Sequence, residues 1–174
     1  MGRRASIFEM TAILAVLHAP VGTAAMAEEL MFVSPESVAP VSKASPAVRG
    51  RSFVPLHSTV IAGAGRTRLN FSGSLSIHNT SARHVLVIDA IEYRDAVGQL
   101  LQNYVPQPIG LRPFASVQIA IAQEDTRGGI GPSFVVDWSL PEATDEPAIE
   151  AVMIASHGTQ GYSFVSPARR LIRP

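Results

Sequence analysis

His78 and His84 flank the short stretch Asn79-Thr80-Ser81, and Asp89 follows a little further along. Two imidazoles that a turn brings together, with a carboxylate nearby, are a donor set for zinc. Zinc takes three or four N/O ligands in a tetrahedron and activates a water for hydrolysis. This makes a metal-dependent or hydrolytic enzyme using His78, His84 and Asp89 one alternative for the chain. The surrounding pattern argues against it. There is no H-x-H pair and no HExxH. His78 also falls on the polar side of the alternating run RLNFSGSLSIHNTS (68–81), where a histidine at a strand end is solvated. His57 and His157 lie far from this group in the chain, and His18 sits near the N-terminus.

Other chemistries leave weaker traces. Serine catalysis needs a nucleophile on a sharp turn, and no GxSxG occurs. Gly128-Gly129-Ile130-Gly131 is glycine-rich, but a strand pattern follows it and no Gly-Lys-Ser/Thr appears. Its glycines are expected to serve a tight connection rather than a phosphate. A glycan-binding module is a second alternative, which would need exposed aromatic platforms. The single tryptophan, Trp138, alternates with Phe134 and Val136 and reads as core. Tyr93 and Tyr104 fall on strands expected to pair, so they should meet on one face. Glu124, Asp125, Asp137, Asp145 and Glu146 lack the spaced ladder of a calcium loop. Asn70 and Asn79 match the glycosylation pattern by chance if the chain is bacterial. Arg169, Arg170 and Arg173 make a basic tail, expected to be solvated.

Composition narrows the classes further. Lys+Arg and Asp+Glu both number 14, and from residue 51 onward the two signs again balance, so the basic excess of a nucleic-acid binder is missing. Cys 0 rules out disulfides, thiolate metal sites and cysteine nucleophiles. At the N-terminus Arg3 and Arg4 precede a short apolar run (10–17), followed by Ala25-Met26-Ala27, the small-x-small pattern of a signal-peptidase site. Residues 1–27 are expected to be a cleaved secretory signal, with export by the general or the twin-arginine route left open. The run is too short to span a bilayer, so no transmembrane segment is expected after cleavage. Residues 28–50 are rich in Pro, Ser and Ala without period and read as an extended linker.

The elements that must position these residues follow a period of two. Strands are expected over 53–61, 68–78, 85–93, 99–105, 116–122, 134–140, 149–156 and 162–165. The turns between them include Gly63-Ala64-Gly65 and Asp95-Ala96-Val97-Gly98. Loops 106–113 and 124–132 are the longer connections. Short strands without a helical stretch predict an all-β fold over 51–174. The reading is an antiparallel β-sandwich with an immunoglobulin-like Greek key, the alternative being a small closed β-barrel.

The ordered blocks FVPLHS (53–58), LSIHNT (75–80), IEYRDAVG (91–98), GGIGPSFVVDW (128–138) and EAVMIAS (150–156) resemble a bacterial family of exported single domains of unknown function, over roughly 52–166. The resemblance implies a bacterial exported protein and carries over no catalytic or binding residue. His57 and His78 stand where the family pattern has a tyrosine and an arginine, which argues against a shared metal site. The expectation is a periplasmic or secreted, non-catalytic binding or accessory module. No catalytic, metal or cofactor residue is assigned, and the partner is left unassigned, with an envelope protein or a glycan as the candidates.

Overall fold

The computed structural model describes residues 31–64 and 66–172. The signal at 1–27, the first linker residues 28–30, Gly65 of the expected turn, and Arg173 of the tail lie outside them. Among the described residues the strands are β1 (Met31–Phe32), β2 (Val38–Ala39), β3 (Val48–Pro55), β4 (Thr59–Ala62), β5 (Thr67–Asn70), β6 (Ser72–His78), β7 (Leu86–Arg94), β8 (Leu100–Asn103), β9 (Ile109–Leu111), β10 (Ser116–Ile121), β11 (Ser133–Leu140), β12 (Ala148–His157), β13 (Gln160–Pro167) and β14 (Arg169–Arg170). A 3-10 turn, Pro35–Ser37, separates β1 from β2.

One sheet runs β1-β10-β6-β12-β13. The other runs β14-β3-β11-β7-β9-β2, with β8 also on β7, and β4-β5 form a small separate ribbon. All pairings are antiparallel. The antiparallel β-sandwich expected from the period is therefore what forms, and the sheets stay open rather than closing as a barrel. β6 neighbours β10 in one sheet and β7 neighbours β11 in the other. The two crossings β6→β7 and β10→β11 thus run side by side, the interlock of Greek-key sandwiches. At the chain ends β3 pairs β11 and β12 pairs β6.

The core lies between the sheets. Leu75 and Ile77 on β6, Val117 and Ile119 on β10, and Ala151 and Met153 on β12 face Val54, Leu86, Ile88, Ile91, Phe134, Val136, Trp138 and Leu140. Trp138 is 0% exposed, as its alternation predicts. Its indole lies over Gly50, its direct partner on β3, where an added Cβ would stand 2.1 Å from the ring. Its Nε1 donates to Ser52 Oγ at 3.0 Å, so the buried N–H is satisfied. Asn79 is the other internal fastening. It is 3% exposed, its Nδ2 donates toward the carbonyls of His84, Leu111 and Arg112, and its Oδ1 accepts from the Ser81 amide.

Three expectations need correction. First, the run 68–81 is broken at Phe71, whose amide bonds to Ser58 O, so β5 turns aside to pair β4 while β6 joins the large sheet. Second, the region read as a linker is woven into the domain from Met31 onward. β1 pairs β10, β2 pairs β9, and β3 begins at Val48. Third, Asp137, whose place on the side of its strand opposite Trp138 predicts a solvated carboxylate, is only 8% exposed, and all eight residues of β11 are buried.

The second correction has a topological cause. β2 and β3 lie near opposite edges of one sheet, with β9, β7 and β11 between them. The intervening residues 40–47 must cross those strands, a span of roughly 19 Å at ~4.8 Å per spacing. Eight extended residues reach ~26 Å. A segment lying across strands rather than along them has no reason to show a period of two, and Pro40 and Pro46 suit an extended path without ladder bonds.

Candidate functional site

The crossing segment encloses a cleft of about 540 Å³ against the outer face of the sheet. Its wall is 40–46, and its floor includes Arg49 of β3, Val87 and Asp89 of β7, and Ser139 and Leu140 of β11. Arg83, His84, Pro108 and Pro141 close the rim.

Asp89 reaches this floor through a register shift. Asp137 pairs with Ala90 and Trp138 with Ile88, which leaves Asp89 as the extra residue of a β-bulge. Bulges re-aim side chains and are enriched beside functional sites. Asp89 Oδ2 is buried and accepts no hydrogen bond. The nearest cation, Arg49 Nη1, stands at 3.9 Å, close enough for charge attraction but too far for a hydrogen bond. The lining of the cleft carries Lys43, Arg49 and Arg83. His84 Nε2 lies 3.5 Å from Glu142 Oε2 at the rim. The cleft thus presents a cationic lining with one carboxylate oxygen in need of a donor. Arg49, Arg83 and Lys43 were not singled out in the sequence because nothing local distinguishes them from solvated arginines and lysines.

The three residues of the zinc alternative are only partly brought together. His84 and Asp89 both line the cleft, whereas His78 is exposed at the end of β6 on the other sheet. Among the described residues no group of three His, Asp or Glu side chains is placed to hold a metal ion. His57 packs against Phe164, with ring centroids 5.6 Å apart. Three of the five carboxylates considered for calcium are engaged by arginines. Asp125 pairs with Arg127 at 2.8 Å, Asp137 with Arg51 at 2.6 Å, and Glu146 with Arg170. Arg170 also stands 5.3 Å over the Trp138 ring, so the tail is docked rather than merely solvated.

Under the 124–132 loop, Tyr93 and Tyr104 do meet. Both pack on Phe134, with centroids at 5.3 and 6.1 Å. Both hydroxyls are buried without a hydrogen-bond partner. Burial is the main cause that raises both phenols, Tyr104 to about 12. Gly129 has the positive φ (69) expected of a tight connection. Gly128 is required for a different reason: a Cβ there would lie 2.5 Å from the Tyr93 hydroxyl.

Residues 49–171 match the model of a family described as a protein of unknown function, DUF3124. No curated protein and no solved structure matches the chain.

Proposed function

The chain belongs to this family of unknown function, and we propose that it is an exported, non-catalytic binding module of the bacterial envelope, periplasmic or secreted, holding a small polar ligand in the cleft. The observation that carries this reading is Asp89 Oδ2, which is buried without a donor beside a cationic lining. A buried carboxylate oxygen left unpaired is costly, and a ligand that supplies the donor removes that cost. The complementary ligand carries an amine or hydroxyl for Asp89 and an anionic group for Arg49, Arg83 or Lys43, since charge-assisted bonds of this kind fix orientation. Amino acids and acidic or amino sugars have this chemistry.

A binding role is supported over the hydrolytic alternative by the separation of His78 from the cleft. The glycan alternative loses Trp138 as a platform because that ring is buried. Calorimetric titration with a panel of amino acids, amino sugars and uronic acids is the test. At least one compound should bind, Asp89→Asn and Arg49→Ala should each weaken it tenfold or more, and Glu150→Gln on the other sheet should not. Binding untouched by Asp89→Asn, or no binding across the panel, would overturn the reading. Export is tested separately by mass spectrometry of the accumulated protein, which should begin at Glu28. A full-length product would refute it.

A further inference from the structure

β13 ends the five-stranded sheet. Among the described residues it pairs with β12 on one side and with no strand on the other. Long edge strands are usually blunted by charges or covered, because a free row of N–H and C=O groups is a template for another strand. β13 reads QGYSFVSP and contains no charged residue.

The hairpin fixes which groups are free. His157 pairs with Gln160 across Gly158-Thr159, and Gly158 has φ 62, as a type II′ turn requires at its first central position. The closing pair of such a turn is hydrogen-bonded, and pairs alternate from there. Gln160, Tyr162, Phe164 and Ser166 therefore turn their backbone groups toward β12, while Gly161, Ser163 and Val165 turn theirs outward. Pro167 ends the row because it has no N–H. Val165 pairs with Val152 and Ser163 with Ile154, so the residues with free backbone groups share the sheet's outer face with those two. Val165 and Ile154 are each 53% exposed.

We propose that β13 pairs antiparallel with β13 of a second copy about a two-fold axis through Ser163, joining two five-stranded sheets edge to edge. Ser163 then faces itself and Gly161 faces Val165 of the second copy, each pair exchanging two backbone hydrogen bonds. Tyr162 falls opposite Phe164 of the second copy, an aromatic cross-strand pair of the favoured kind. Glycine opposite valine leaves room for the branched side chain. Around a two-fold axis any charge in the central stretch meets its own copy at close range, so the lack of charge suits self-pairing in particular. Val152, Ile154 and Val165 of both copies form one apolar stripe across the seam. The cleft lies on the outer face of the other sheet, so this association stands or falls independently of it.

Sedimentation equilibrium of the purified protein at micromolar concentrations should show a dimer. Val165→Lys alters an exposed side chain and should leave the fold, read as the far-UV spectrum and a cooperative melt, intact while raising the dimer dissociation constant tenfold or more. Ser163→Pro, which removes the N–H on the axis, should do the same. Because the chain has Cys 0, Ser163→Cys introduces a single thiol. A short bismaleimide should cross-link it to a dimer, whereas Ala143→Cys in the exposed loop before β12 should stay monomeric. A monomer at all concentrations, a dimer indifferent to Val165→Lys, or equal cross-linking at both thiols would overturn the proposal.

Discussion

Arg49 and Arg51 stand two residues apart on the same face of β3, and each is set toward a carboxylate, with opposite results. Arg51 grips Asp137 with a two-pronged contact, Nε to Oδ1 at 2.9 Å and Nη2 to Oδ2 at 2.6 Å. Asp137 is its direct partner across β11. Arg49 has Ser139 as its direct partner. Its carboxylate, Asp89, sits one strand further away on the bulge of β7, with Oδ2 left at 3.9 Å. The same pair of residue types thus makes a closed structural clasp where the register puts the groups face to face, and an open pair with an unbonded carboxylate oxygen where a bulge displaces one of them. The hydrogen bond to Asp137 is the main cause that raises the Arg51 pKa.

Substitutions can break or sharpen this contrast. The largest loss should come from starting the chain at Arg51, which removes β1, β2, the crossing segment and also the first three residues of β3, Val48, Arg49 and Gly50, the partners of Leu140, Ser139 and Trp138. No cooperative melt near that of the longer protein should remain, and a nearly unchanged melt would restore the reading of 28–50 as a linker. Next comes Trp138→Ala, directly beneath the clasp, at about 3–5 kcal/mol in a denaturant titration. Asn79→Ala leaves carbonyls of His84, Leu111 and Arg112 without their side-chain donor and should cost about 2–4 kcal/mol. Asp137→Ala should cost about 1–2 kcal/mol, limited because the Arg51 side chain is 45% exposed and finds water. Asp89→Ala removes the unpaired buried oxygen, so it should stabilise the ligand-free protein by about 1 kcal/mol while abolishing the proposed cleft binding. If both aspartates proved equally costly to remove, the division into clasp and site would fail.

The phenols offer a further comparison, since Tyr93 and Tyr104 are also buried polar groups without partners. Their folded pKa values lie above the ordinary 10.0, Tyr104 at about 12. Between pH 10 and 12 the unfolded chain therefore releases protons that the folded chain keeps, and stability falls as pH rises through that window. Urea titrations across it should show the decline, and Tyr104→Phe should lessen it, leaving the share due to Tyr93, with little effect at neutral pH.

How far the sequence carried depended on the range of the interaction. The alternation of Phe134, Val136 and Trp138 and the turn at Asp95–Gly98 are local, and both were legible. Asp137 alternates onto the side opposite the core and reads as wet. Its burial depends on Arg51, which is remote in sequence. The bulge that frees Asp89 leaves no local mark, because a skipped partner is a property of two strands. The segment 40–47 misled for a related reason. Its composition suits solvent, but it is held by β2 and β3 at its two ends.

That segment also sets how the domain would respond to mechanical load. β1 and β2 are two-residue strands at sheet edges, each held by a single short pairing. Tension applied ahead of Met31 would peel β1 from β10 and then β2 from β9, one pair at a time, before it reached the eight-residue β3. Between those events the wall of the cleft would lift away while the sandwich stayed folded. A chain pulled from its N-terminal end would therefore lose the cleft under load before it lost the fold.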